Sequence, residues 1–267
     1  MYANDFEHDG EYLSNWGYQL CEIDSSNGFE TINTDSQRTF DTVSQFNGKY
    51  YPLVVSYYTD HIEVSFQICK VRCPDGIQPF TVYEVREVKR WLNRPSFHKF
   101  KLIQPEWADI YMVGSFNVSE IKFNDKTYAL ELTFISNRPF ALHESVSYKF
   151  ELQNNNDTFA FYDSSDEIGH IYPSMTITCL DSGNMELTNS QEPNRKTLIN
   201  NVSKDEIITF SPRLIISTSL SSHEIQNDFN FKFPRIANRY GNRKNIFTCS
   251  IPVKIDLTYS PYVKAVR

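Results

Sequence analysis

The chain has 267 residues and a formal net charge of −7; 40% of its residues are hydrophobic and 15% are aromatic. This composition supports a packed core and excludes a disordered chain, and its aromatic residues favour strands over a helical bundle or coiled coil. The nine glycines are too few to favour a glycine-rich nucleotide-binding enzyme.

The N-terminus carries neither the basic nor the apolar region of a secretory signal. The most apolar stretch near the middle, residues 50–58, is far shorter than the roughly 20 residues that a membrane helix needs. We therefore expect a soluble protein that is made without an export signal and has no membrane partner. Acidic residues outnumber basic ones by 20 to 13 up to Ser145, which is the opposite of what specific nucleic-acid binding requires.

The first element with a clear local signal is a hairpin arm over residues 41–59. Asn47 and Gly48 form a strong hairpin turn pair. Adjacent residues on a strand point to opposite faces, so paired tyrosines cannot both enter one core. An interface role for these tyrosines and plain core packing both remain open. The candidate self-assembly residues are Phe46, Asn47, Gly48, Lys49, Tyr50, Tyr51, Tyr57 and Tyr58.

A strand and a helix follow the arm. Residues 61–70 alternate between apolar and polar side chains, which predicts a strand with one face on a core. Thr81 and Glu84 form a capping box that predicts a helix over residues 81–94, and Pro95 ends it. An apolar stripe along this helix predicts that it lies across a sheet, and its structural residues are Thr81, Glu84, Val85, Val88, Trp91 and Leu92.

The next segments predict an antiparallel hairpin, with strands over residues 109–123 and 127–136 and a turn between them. The polar stretches 153–157 and 163–167 then suggest a domain change, so we expect domains over residues 1–145 and 146–267. The last strand could return to the first domain. The acidic stretch Asp163–Glu167 is either a calcium-binding loop or, as we favour, a solvated linker, because it lacks the ligand spacing of an EF-hand.

The second half shows short strand patterns about ten residues apart, which favours a jelly-roll β-sandwich without helices. Pro252 suggests an edge or a bulge in a long final strand. The candidate strands are residues 174–180, 184–188, 196–200, 207–210, 214–219, 228–233 and 245–258.

Motifs of known catalytic chemistry are absent, so we expect no enzyme, no cofactor and no metal. The six histidines lack metal-ligand spacing, and each is expected to be exposed or satisfied. The cysteines are widely spaced and are expected to be buried reduced thiols. Four basic residues near the C-terminus could contact phosphate or glycan, although a solvated loop or a protein interface is favoured: Arg235, Arg239, Arg243 and Lys244.

These elements occur in a recognisable order. Phe6-x₃-Gly10-x-Tyr12 precedes the arm, and the helix with Arg90-Trp91-Leu92 precedes a strand that closes as Leu132-x-Phe134-x₃-Arg138-Pro139-Phe140. A segment of about 110 residues with strand spacing follows. This order resembles the distal tail proteins of long-tailed bacteriophages and prophages of Gram-positive bacteria, most closely over residues 1–142.

The resemblance implies a mainly β structural protein of the virion tail tip, assembled in the bacterial host cytoplasm. It implies a homo-hexameric ring in which an N-terminal β-sandwich, with one helix and a protruding arm, surrounds a channel that DNA crosses without specific binding. A galectin-like or carbohydrate-binding-module-like C-terminal domain would point outward. The implied partners are the tail tube protein, the tail-tip hub protein and, in many phages, receptor-binding proteins.

Two other functions remain open at this stage. The C-terminal sandwich could act as an adhesin for host-surface glycans, although that half has no tryptophan to stack on a sugar. A β-sandwich hydrolase that acts on cell-wall polymer is the third, and least favoured, possibility. The sequence leaves the glycan-binding residues unknown and does not separate a phage from a phage-like bacteriocin.

Overall fold

A computed structural model describes residues 5–21, 38–43, 53–58, 61–71 and 78–264. The chain divides into two compact units, described separately below. Unit 1 comprises Met1–His143 together with Val263–Arg267, and unit 2 comprises Glu144–Tyr262. The structure is mainly β, which confirms the predicted fold class. Among the described residues, no helix has the length and apolar character needed to cross a membrane.

Unit 1 is built on one antiparallel sheet with the strand order β2-β1-β7-β8-β9-β6-β3, to which β10 is added beside β8. A separate two-stranded ladder joins β4 to β5. The elements are β1 Asp5–His8, β2 Glu11–Tyr12, β3 Tyr18–Cys21, β4 Arg38–Val43, β5 Leu53–Tyr58, β6 Glu63–Lys70, α1 Val82–Leu92, β7 His98–Ile103, β8 Ile110–Phe123, β9 Lys126–Ser136 and β10 Ala141–His143.

The long β8–β9 hairpin forms the centre of this sheet. Asn124 and Asp125 connect its strands, with φ angles of 48° and 61°. Two successive left-handed residues match the type I′ turn, whose twist suits a two-residue hairpin. The predicted hairpin is therefore present, with its turn at the predicted position. It aligns Phe116 of β8 with Phe134 of β9, and both are buried in the core of unit 1.

Gly114 of β8 occupies a point of very close packing in this hairpin. A Cβ atom at this position would overlap the carbonyl oxygen of Ile135 and the ring of Phe134. The phenyl ring of Phe134 occupies the space that a side chain would need. Only glycine therefore allows β8 and β9 to approach in this way.

Helix α1 begins with the capping box that the sequence predicts. The Thr81 hydroxyl accepts the backbone N–H of Glu84, and the Glu84 carboxylate accepts the backbone N–H of Thr81. Farther along the helix, Lys89 donates to Glu120 of β8 at 2.9 Å. Together with a hydrogen bond from Thr127, this contact lowers the pKa of Glu120 to about 2. The cap fixes where the helix starts, and Lys89 fixes it against the sheet.

Unit 2 contains a five-stranded sheet, β11-β21-β14-β17-β18, and a four-stranded sheet, β12-β20-β15-β16, whose buried side chains form one core. The elements are β11 Val146–Leu152, β12 Asp157–Tyr162, β13 Gly169–Ile171, β14 Ser174–Cys179, β15 Gly183–Asn189, β16 Lys196–Val202, β17 Ile207–Ser211, β18 Ile215–Thr218, α2 Ile225–Asp228, β19 Ile236–Asn238, β20 Lys244–Cys249 and β21 Val253–Tyr259. A final strand, β22 (Tyr262–Val263), leads back to unit 1, where Val263 is buried in the core.

Two strand predictions in unit 2 are wrong. Residues 228–233 do not form a strand: the short helix α2 ends at Asp228, and the following residues cover β16 through a single bridge between Phe229 and Ile199. Residues 245–258 are not one long strand. The chain leaves the four-stranded sheet after Cys249 and enters the five-stranded sheet at Val253, so Pro252 lies in a crossing between two sheets.

Four strands of unit 2 carry no sequence prediction: β11 and β12 at its start, and the short strands β13 and β19. Strands β11 and β12 surround the polar stretch around Asn156, which has a φ of 61° and lies in their connecting turn. The alternation of Val146, Tyr148, Phe150 and Leu152 was the available signal for β11. The polar residues around Asn156 form a hairpin turn inside unit 2, whose first residue is Glu144.

Replacing Gly114 with alanine should destabilise unit 1 by roughly 1–3 kcal/mol, because the added methyl group overpacks a rigid contact between backbone and ring. Urea unfolding followed by tryptophan fluorescence measures the loss. Gly241→Ala is the matched control, since nothing lies within 4 Å of a Cβ at that position. Equal stability of the two variants would contradict the proposed packing constraint.

Candidate assembly site

The ladder between β4 and β5 overlaps the predicted arm over residues 41–43 and 53–58. Its register pairs Arg38 with Tyr58 and Val43 with Leu53. Tyr57 and Tyr58 are consecutive residues of β5 and lie opposite Thr39 and Arg38. The other candidate arm residues lie outside the described residues: Phe46, Asn47, Gly48, Lys49, Tyr50 and Tyr51.

The predicted helix residues form a buried cluster with the N-terminal strand. Val85, Val88, Trp91 and Leu92 of α1 are all buried. The Trp91 ring lies between two parallel rings, with its centroid 5.7 Å from that of Phe6 and 5.2 Å from that of Trp16. Its indole N–H donates to the backbone carbonyl of His8 at 3.2 Å. Offset ring stacking and this hydrogen bond attach the helix to the beginning of the chain.

His8 is fully buried beside this stack, and neither ring nitrogen has a hydrogen-bond partner. Burial, followed by the positive charge of Arg94 and by His98, lowers its pKa to about 4. The adjacent Asp9 lies at the surface, where its carboxylate is 2.9 Å from Arg94 and 3.2 Å from His98. The expectation that every histidine is exposed or satisfied is therefore wrong at His8.

The four basic residues of the second half do not form a simple solvated group. The Arg235 guanidinium binds both carboxylate oxygens of Glu192, and this ion pair raises the pKa of Arg235. Arg239 donates to the backbone carbonyl of Gln191. Arg243 and Lys244 are exposed, and Lys244 lies over the ring of Tyr162. Arg235 and Arg239 therefore connect two loops of unit 2. Of the four basic residues, only Arg243 and Lys244 remain available to bind an anion.

A buried amide network connects the same two loops. The Asn245 side chain is fully buried, and its oxygen accepts from Asn189 at 2.7 Å and from the backbone N–H of Ala237 at 2.9 Å. Its NH₂ group donates to the backbone carbonyls of Ala237 and Arg243. All four hydrogen-bonding positions of this amide are thus used, which fixes one local arrangement of the chain.

The acidic stretch 163–167 is not a solvated linker. Asp163 is 2% exposed and Ser165 is fully buried. The Asp163 carboxylate accepts hydrogen bonds from the backbone N–H and the hydroxyl of Ser165. Among the residues that the structure describes, no group of three histidine, cysteine or acidic side chains has the geometry of a metal site. The favoured interpretation is therefore wrong, and the calcium alternative gains no support.

The cysteines in the described part of the chain are free thiols. Cys69, Cys179 and Cys249 are buried, whereas Cys21 is half-buried and Cys73 lies outside the described residues. Burial, the charge of Glu206 and the neighbouring Cys249 raise the pKa of Cys179 to about 12, and burial raises that of Cys249 to about 11. Thiols with such pKa values carry almost no thiolate at neutral pH and are poor nucleophiles.

Comparisons with known proteins agree with this architecture. Residues 1–138 match the family model described as a phage tail protein N-terminal domain, and residues 140–259 match a phage tail C-terminal domain. No curated protein matches the chain. A solved structure with a similar fold is the SPP1 Dit protein, described as a paradigm of the hub adsorption apparatus in phages that infect Gram-positive hosts. The match has a TM-score of 0.64 at 10% identity and covers 96% of this chain and 98% of that one.

The buried His8 predicts an acid-sensitive stability. About one pH unit above 6.5 and higher, the imidazole is mostly neutral in both the folded and the unfolded states, so it adds little pH dependence there. Between pH 6.5 and about 4 the unfolded chain binds a proton that the folded protein excludes, and stability falls by roughly 3 kcal/mol. Urea unfolding at several pH values should show this fall in the wild type and a shallower slope in His8→Leu.

Phe6→Leu is the control for this experiment, because it shortens another fully buried ring of β1 without removing a titratable group. It should lower stability equally at every pH and keep the wild-type slope. If His8→Leu loses stability between pH 6.5 and 4 as steeply as the wild type, His8 is not the group responsible.

Proposed function

The chain belongs to the phage tail protein family defined by these two domains, and we propose that it forms a hexameric ring at the tip of the tail. This ring would join the tail tube to the tail-tip hub and to the proteins that recognise the host. The observation that carries the proposal is the similarity to the SPP1 Dit fold along nearly the whole of both chains. The protein would be structural and non-enzymatic, and it would join the virion tail tip in the host cytoplasm.

We propose that unit 1 makes the contacts of the ring. Its sheet provides a rigid base, because α1 and the aromatic stack cover one face of the central strands. The β4–β5 ladder is joined to no other strand among the described residues, which suits an arm that reaches a neighbouring subunit. In this role Tyr57 and Tyr58 of β5 belong to a residue type that interfaces favour.

We assign the outward position to unit 2. Its two sheets form one closed core, and a dense set of buried hydrogen bonds ties its loops together. A rigid unit of this kind suits the attachment of other tail proteins. Arg235 and Arg239 give the glycan-binding alternative no support, since both are occupied with contacts inside the unit.

Shortening the arm tests the ring directly. Replacing residues 44–52 with Asn-Gly keeps the β4–β5 pairing, because the register places Val43 opposite Leu53 and a two-residue turn suits that geometry. The shortened protein should keep its circular dichroism spectrum and lose the mass of a hexamer in light scattering. Gly241→Ala, a change in unit 2, should keep that mass. A shortened variant that still forms the hexamer would overturn the assignment of the arm.

The acidic balance of the first half leads to a second expectation. If that half surrounds the channel, six copies place an excess of carboxylates around the DNA path, and DNA phosphates find few cations to hold them. We expect no measurable binding of duplex DNA at physiological salt in a gel-shift assay, and acidic residues in excess on the inner wall of the ring. Retention of DNA at that salt, or a lumen lined mainly by lysine and arginine, would contradict this expectation.

A further inference from the structure

One side of unit 2 combines an unusual backbone with exposed apolar side chains. Residues 219–233, here called the strap, run between the two sheets on this side. Helix α2 of the strap lies against β16 and β18, which are edge strands of the four-stranded and five-stranded sheets. Phe229 and Phe233 of the strap both pack against Phe210 of β17. The strap therefore closes the open side of the core.

The backbone of this side is strained at two positions. Phe231 in the strap and Leu214 just before β18 have φ angles of 57° and 59°. The other non-glycine residues with positive φ in the described part of the chain are all Asn or Asp, which tolerate this conformation. A bulky apolar side chain in this region raises the energy of the fold, and such positions concentrate at functional sites.

The strain does not bury these side chains. Phe231 is 65% exposed, Leu214 is 48% exposed, and the next residue, Ile215, is 59% exposed. Leu198, on the facing edge strand β16, is partly exposed as well. The strained backbone therefore raises the energy of the fold, and these apolar side chains still contact water. A binding partner would cover this exposed apolar surface.

Phe231 is held outward by a rigid frame. The side-chain oxygen of Asn230 accepts the backbone N–H groups of Leu198 and Lys232, and its NH₂ group donates to the carbonyl of Lys196. On the other side of Phe231, the Thr197 hydroxyl donates to the carbonyl of Lys232 at 2.6 Å. The backbone on both sides of Phe231 is therefore anchored before any partner arrives, and preorganisation of this kind lowers the entropic cost of binding.

The charges around these residues indicate the chemistry of the partner. Each strained residue has an exposed basic neighbour, Arg213 beside Leu214 and Lys232 beside Phe231, and neither cation has an ion-pair partner among the described residues. Lys196, by contrast, is neutralised by Glu186 at 2.7 Å. The exposed carboxylate of Glu224, seven residues before Phe231, accepts a hydrogen bond from Asn227 and keeps its negative charge. The charged residues directly adjacent to Leu214 and Phe231 in the chain are both positive, which complements an acidic surface.

We infer that this side of unit 2 is a docking face for another protein of the tail, whose contact surface is acidic and contains an apolar pocket for Phe231. A sugar or an anionic wall polymer would leave Leu214, Ile215 and Phe231 largely uncovered, so a protein is the partner that fits. This inference rests on the proposed function, since it assigns one outward face of unit 2 to the attachment of a neighbouring tail protein.

The first experiment identifies the partner in assembled particles. Position 231 carries the photoreactive residue p-benzoylphenylalanine, and the particles are irradiated before separation of their proteins. We expect a cross-link between position 231 and one other tail protein. The same residue at position 240 is the matched control, because Tyr240 is 92% exposed in a different turn of unit 2. No cross-link at 231, or a cross-link only to another copy of this chain, overturns the inference.

The second experiment measures binding of the purified full-length protein to the cross-linked tail protein. Phe231→Gly should weaken binding at least tenfold, and it should also raise the melting temperature because glycine accepts the left-handed backbone. The double variant Arg213→Ala/Lys232→Ala should weaken binding and reduce its salt dependence. A Phe231→Gly protein that binds as tightly as the wild type overturns the inference.

These outcomes remain separable from the proposed function. Both variants alter unit 2 alone, so each should form the same ring as the wild type in light scattering. A wild-type protein that never forms a ring contradicts the proposed function, whatever the cross-link shows. A normal ring with unaffected binding contradicts the docking face alone.

Discussion

The stack of Phe6, Trp91 and Trp16 is the contact on which unit 1 depends. It joins α1 to two pieces of chain about 75 to 85 residues earlier in the sequence, the first strand and the short helical turn after it. The indole N–H of Trp91 adds a directional bond to the backbone of β1. Because a ring stack and a hydrogen bond must both be satisfied, α1 has one position on the sheet rather than a range of positions.

That fixed helix explains several neighbouring features. Lys89 reaches Glu120 only when α1 lies along β8, and the ion pair is then supported by Thr127. Trp91 and Phe116 lie against the ring of His8, so this imidazole is kept away from water and loses its usual basicity. The loops of unit 2 are stabilised differently. Hydrogen bonds of amide and guanidinium groups hold them in place, whereas a ring stack holds α1 in unit 1.

The sequence predicted correctly those elements that depend on a few neighbouring residues. The capping box at Thr81, the turn after β8 and the strands β14 to β18 of unit 2 are encoded within a few residues, and the structure has them in place. Long-range contacts caused the errors. Asp163 looked solvated because its neighbours are polar, yet its carboxylate is enclosed by the fold. Residues 229–233 alternate between phenylalanine and polar side chains, as a strand would. Phe231 nevertheless points outward, because Asn230 forms hydrogen bonds with residues that are distant in the sequence.

The crossing at Ser250–Pro252 has a consequence for how the protein is made. The strands on either side of it are internal in their sheets: β20 pairs with β12 and β15, and β21 pairs with β11 and β14. Until synthesis has passed Lys244, β20 and β21 are missing, so each sheet of unit 2 remains in two unconnected parts. Joining these parts requires contacts between residues about 100 positions apart. Unit 2 folds late in translation, so truncated products expose both halves of its core to chaperones and proteases and cannot enter a growing tail as folded subunits.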